Sequence, residues 1–182
     1  MDIVSRKAVV VLYARRDSVY KTFLDDVFDE DRDARTYQGR RPVVAHPPCR
    51  AWGRLRTFAK PRHDEKDLAF HAVQCVRACG GVLEHPAHST LWEAANLPAP
   101  GSRDQFGGFT YVVNQSWFGH AAPKLTWLYI VGAERWLPSV PFRLGMAEGR
   151  VASQGRAARE ATPLAFALWL ASVAAQCKGA TE

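Results

Sequence analysis

Short apolar runs and longer amphipathic stretches alternate along this chain, and their order predicts an α/β protein. Residues 7–13, "KAVVVLY", form a compact β-branched run and predict a buried strand. Residues 42–46 predict a second strand, which Pro47 and Pro48 end. Residues 64–79, "DEKDLAFHAVQCVRAC", predict a helix: Asp64 and Glu65 sit in its first turn, Leu68, Ala72, Cys75, Val76 and Cys79 line one face, and Gly80-Gly81 stops it. "GVLEHP" follows as a third strand. Strand, helix and strand in this order predict a parallel crossover unit.

The later segments "FTYVVNQSWFGH" and "KLTWLYIVG" predict two adjacent strands joined by a short turn at "GHAAP". The "DDVFDEDRDARTYQGRRP" segment predicts a solvated loop with one helical turn, and residues 134–161 a loop. Thr162 and Pro163 are placed to cap and open a final helix, "TPLAFALWLASVAAQC", apolar on nearly every side. That helix packs on the sheet with Trp169 in the core. The expected architecture is α/β in one domain over residues 1–182: a mostly parallel, Rossmann-like sheet, an antiparallel strand pair near the carboxyl end, and flanking helices.

This topology directs attention to the strand ends. Open α/β sheets bind ligands beyond the carboxyl ends of their strands. Cys49 lies just past one such end, and Glu84, His85 and His88 lie at the next. If the two strands are neighbours, both groups face one crevice. A thiol reacts as thiolate and needs a polar, positive surrounding to become one; His46, Arg50, Arg54 and Arg56 surround Cys49 in sequence. Glu84 across the crevice would serve as proton donor or as reader of a polar ring edge. Cysteine and glutamate together suit attack on an electron-poor ring.

Composition narrows the partners. The chain has 182 residues, 47% hydrophobic and 23% charged, with a net charge of +6. That balance favours an acidic partner, DNA or a nucleotide. Arg15, Arg16, Arg40, Arg41, Arg50, Arg54, Arg56 and Arg62 cluster in the first third and would rim a phosphate site if they converge. Four cysteines do not make a disulfide scaffold, and no apolar run reaches the roughly 20 residues of a membrane span. With no signal peptide to read, the expectation is a reducing cytoplasm and no membrane partner.

The motifs carry a resemblance. "HPPCRAW" resembles the catalytic proline-cysteine loop of DNA cytosine-5 methyltransferases. "GGVLEHP" resembles the strand that ends in their Glu-Asn-Val motif. "VNQSWFGHAAPKLTWLYIVG" is similar to the segment holding their Asn, Tyr-Gly and Pro-Gln-x-Arg-x-Arg motifs. The three follow the family's order across residues 42–132, and the whole pattern also resembles small phage and prophage proteins, which implies a bacterial host cytoplasm. The resemblance implies a methyltransferase-like fold, Cys49 as the nucleophile adding to carbon 6 of a pyrimidine, Glu84 binding the ring near nitrogen 3, and Lys124 contacting base or phosphate. The further substrate-binding candidates are His46, Pro48, Arg50, Trp52 and His85.

The resemblance also implies S-adenosylmethionine as cofactor, but the family's Phe-x-Gly-x-Gly loop is missing, and "VVVLYARRDSVYK" stands in its place without a glycine. The segment "ARRDSVYK" is the candidate for holding a cofactor or phosphate, with Ser18, Tyr20 and Lys21 as donors. His85 replaces the family's asparagine, Thr126 stands at a basic position, and about 30 residues leave no room for a target-recognition domain.

Two other readings stay open. In one, His46, Cys49, His85 and His88 form a tetrahedral zinc site, which would occupy the sulfur. In the other, the chain is a non-catalytic module that binds nucleic acid or blocks a host enzyme. Trp52 and Trp117 are the aromatics that would stack on a base; Trp92, Phe118 and Trp127 are expected in the core, as are Cys75 and Cys79.

Overall fold

A computed structural model describes residues 5–133, 137, 139–140, 155 and 160–179. The expected loop at residues 134–161 falls almost wholly outside them. Five strands form a mixed sheet: β1 (Val10–Leu12), β2 (Val43–Ala45), β3 (Gly81–Pro86), β4 (Phe109–Asn114) and β5 (Leu125–Val131). Their order is β1-β2-β3-β5-β4. β1, β2 and β3 run parallel, with Val11, Val44 and Val82 in register. β5 is antiparallel to both β3 and β4, so it lies between them. The crossover helix α1 (Glu65–Cys79) joins β2 to β3, as the sequence predicts. A short helix α2 (Leu91–Ala94) follows β3, and α3 (Leu164–Ala175) closes the described chain.

Alternation along the strands divides the core in two. Val44, Val82, Leu128 and Ile130 face α3, packed with Tyr20, Phe118, Phe166 and Trp169. Val43, Ala45, Leu83, Tyr129 and Val131 face α1, packed with Trp52, Ala72, Val76 and Trp92. Cys79 joins this second core as expected, while Cys75 is half-buried. Both faces of the central strands are buried, which is why their sequences are almost continuously apolar. Gly81 is required where β3 meets β2: its φ is +125°, and a Cβ there would lie 2.0 Å from the Val43 carbonyl oxygen.

Several local expectations change. β1 is shorter than its apolar run, because Ser5–Ala8 form a turn and Tyr13, at φ 61°, leaves extended geometry. The acidic segment after residue 24 has its helical turn at Ala34–Thr36, but it is not wholly solvated: Val27 bridges Val11, and Val27 and Phe28 are buried. The β4–β5 connection contains a 3-10 turn, Gln115–Phe118, whose Ser116 N–H donates to the Asn114 side chain at 3.1 Å. α3 starts one residue later than predicted, with Pro163 at its N-cap and no side-chain cap bond from Thr162. Among the described residues, no helix is long and apolar enough to cross a membrane.

Candidate functional site

Parallel pairing of β2 and β3 sets Ala45 beside Leu83, so His46 emerges next to Glu84 on the α3 face. Glu84 is almost fully buried yet has two partners. Its Oε2 lies 3.1 Å from His46 Nδ1, and its Oε1 accepts from Gln115 Nε2 at 3.0 Å. Gln115 Nε2 also donates to Thr126 Oγ1 at 3.0 Å, and Tyr20 Oη lies 3.0 Å from His46 Nε2. The result is a chain, Tyr20–His46–Glu84–Gln115–Thr126, drawn from five separate segments. Burial pushes the Glu84 carboxyl up. The His46 hydrogen bond and the positive field of Lys124, His46 and His85 outweigh it and hold the group at about 2. Glu84 is therefore a buried carboxylate. An ionised carboxylate only accepts, so His46 Nδ1 donates to it.

Cys49 sits half-buried at the same rim. Its carbonyl accepts from Trp52 N at 3.1 Å and Gly53 N at 2.8 Å, which turns the chain sharply after the two prolines. Burial pushes its thiol up. The negative field of Glu84 adds to this, Lys124 opposes it, and Glu160 adds again. Cys49 and Glu84 thus lie within electrostatic reach of each other and of Lys124, but the resting thiol is protonated rather than activated. The arginines expected to lower it do not. Arg50 pairs with Glu65, a carboxylate with no exposed surface at the start of α1.

The remaining predicted site residues are held elsewhere. His85, the next residue along β3, points to the α1 face and packs against Trp92 at 6.4 Å between ring centroids. Neither of its ring nitrogens makes a hydrogen bond of ordinary geometry, although the Pro48 carbonyl is close enough to favour its charged form. Burial drives the ring down to about 4, against the pull of Glu84 and the Pro48 carbonyl, so it is neutral near pH 7. Pro48 itself is half-buried at the rim. Trp52 is a core residue, edge-on to Phe70 at 5.5 Å, and its carbonyl accepts from Thr90 N and Thr90 Oγ1, each at 3.1 Å. It has no exposed face on which to stack a base. Trp117, the other stacking candidate, is half-buried against the α3-side core.

The zinc set is not assembled. His46 and His85 lie on opposite faces of the sheet, and both nitrogens of His46 already face Glu84 and Tyr20. His88 stacks on Trp127 at 4.8 Å. Among the described residues, no group of three or more His, Cys, Asp or Glu side chains could hold a metal.

The expected cofactor segment also differs. Ser18 caps its own turn by accepting from Tyr20 N at 3.4 Å, and Tyr20 is buried against His46. Lys21 Nζ bonds Asp29 Oδ2 at 2.5 Å and the Arg16 carbonyl at 2.7 Å. These donors serve the protein's own groups.

The candidates His46, Cys49 and Lys124 lie within reach of Glu84, and Gln115 and Thr126, which join them, are not among the site residues the sequence points to. Thr126 carried a signal: it is a polar residue in phase with Leu128 and Ile130, at an inward position of β5. No known family model, no curated protein and no solved structure matches the chain.

Proposed function

We propose that the protein is an enzyme acting on a pyrimidine base, in DNA or in a nucleotide, with Cys49 as nucleophile and Glu84 as the group that holds the ring, on a reduced, Rossmann-like methyltransferase architecture. The observation that carries this reading is the buried Glu84, held by His46 and Gln115 at the carboxyl ends of parallel strands and within electrostatic reach of the Cys49 thiol. A carboxylate fixed by two donors keeps lone pairs for a ring edge that offers N–H groups. Lys124 offsets the negative charge that develops when sulfur adds to the ring.

The minimal chemistry needs only water. The Cys49 S–H proton leaves to solvent and the sulfur bonds to carbon 6. The electrons of the 5,6 double bond move to carbon 5, which takes a solvent proton. Loss of the original carbon 5 hydrogen then re-forms the double bond, expels the thiolate, and leaves the base with an exchanged hydrogen. No step passes through S-adenosylmethionine.

The test is deuterium uptake at carbon 5 of cytidine monophosphate and of a cytosine-containing oligonucleotide in heavy water, read by mass spectrometry. The expected result is catalysed uptake that rises from about pH 7 to pH 9, as the thiolate fraction grows, and that disappears in Cys49→Ala. Uptake undiminished in that variant, or none with the folded wild type, overturns the proposal.

A further inference from the structure

Arginines fall into two groups that differ in their surroundings. Those before residue 42 are largely neutralised by carboxylates: Arg6 by Asp25 at 2.7 Å, Arg16 by Asp31 at 2.8 Å, Arg32 by Asp26 at 3.1 Å, Arg35 by Asp33 at 2.7 Å and Arg41 by Asp26 at 2.6 Å. Residues 51–63, "AWGRLRTFAKPRH", contain no acid. Arg54, Arg56 and Lys60 are exposed, and none has a carboxylate partner among the described residues. Apolar side chains stand among these cations. Phe58 is 85% exposed, the highest value among the large apolar residues described, and Leu55 is 55% exposed. The segment is a string of turns, with Arg56 N donating to Gly53 O at 3.1 Å and Phe58 N to Leu55 O at 3.0 Å.

An exposed aromatic ring among unneutralised cations has a chemical complement. Phosphates answer the cations, and the face of a base answers the ring. Paired bases hide their faces in the stack, so the ring selects unpaired ones. We propose that residues 54–60 form a docking arm for single-stranded nucleic acid, with Arg54, Arg56 and Lys60 on successive phosphates and Phe58 stacked on a base. The arm begins five residues after Cys49, so a strand held on it passes the candidate site. The binding does not depend on chemistry at Cys49.

The experiment is fluorescence anisotropy of a labelled oligodeoxythymidine across salt. Three phosphate contacts predict a log–log salt slope of about −2, a loss of roughly twentyfold between about 50 and 200 mM salt. The R54S/R56S/K60S variant should lose more than about tenfold in affinity at low salt and most of that slope. F58A should lose about tenfold with its slope unchanged. All four positions are exposed, so a thermal melt equal to wild type confirms the fold of each variant. C49A should bind as wild type does, so the arm and the proposed chemistry can fail separately. Equal or tighter binding of a duplex of the same length, wild-type affinity in the triple variant, or binding to phosphatidylserine vesicles without binding to the oligonucleotide would each overturn the proposal.

Discussion

Glu84 and His85 are neighbours on one strand, both buried, and yet they reach opposite states. Glu84 faces α3 and meets His46 and Gln115; His85 faces α1 and meets aromatic rings without a hydrogen bond of ordinary geometry. Burial alone would neutralise both. It succeeds at His85, whose ring falls to about 4, and fails at Glu84, which is held at about 2. Partners, more than depth, decide whether a buried group keeps its charge. The two faces of one strand thus differ: one carries a charge within electrostatic reach of a thiol, the other a neutral ring among aromatic side chains.

The sharpest way to break this contrast is to remove the charge. Glu84→Leu strips the acceptor from His46 Nδ1 and Gln115 Nε2 while leaving both donors buried. A one-sided loss of this kind costs about 3–5 kcal/mol, and urea unfolding near neutral pH should register it. A cost near zero would mean that the network does not hold the site.

His85→Leu should behave in the opposite way near pH 7, neutral or slightly stabilising, because no hydrogen bond of ordinary geometry is lost. Its larger effect is on pH dependence. The folded-state value of His85 lies below its ordinary 6.5, so the unfolded chain binds the proton more readily. Stability from this group is whole above pH 6.5 and is lost as pH falls toward 4, by up to about 3 kcal/mol. Glu84, also depressed, extends the loss from its ordinary 4.5 down to about 2. Denaturation at several pH values should show the upper limb flattened in His85→Leu and the lower limb kept.

Much of this organisation was legible in the chain. Helix α1 announces itself by acids at its start and Gly80 at its stop, and the crossover rule alone brings the Cys49 and Glu84 strand ends to one rim. Alternation alone puts Glu84 and His85 on opposite faces, so a zinc set that called on His46 and His85 together required both faces at once. The partners were not legible. Tyr20 and Gln115 come from 3-10 turns, whose side-chain directions follow no long period. The pairing of Arg50 with Glu65, and of Lys21 with Asp29, depends on how loops fold back on the sheet. Counting arginines near Cys49 therefore suggests an activated thiol, whereas in the fold Arg50 pairs with Glu65, Arg54 and Arg56 lie exposed, and none of the three lowers the thiol.

The account stands on Cys49 and Glu84 sharing one electrostatic site, and peptide-resolved alkylation of Cys49 by iodoacetamide across pH tests this most directly. In the wild type the midpoint should lie above the ordinary thiol value of 9.0. In Glu84→Gln, which keeps the side chain's shape but removes its charge, the midpoint should move to lower pH. Superimposable profiles for the two proteins would show that sulfur and carboxylate do not feel one another, and would contradict the account.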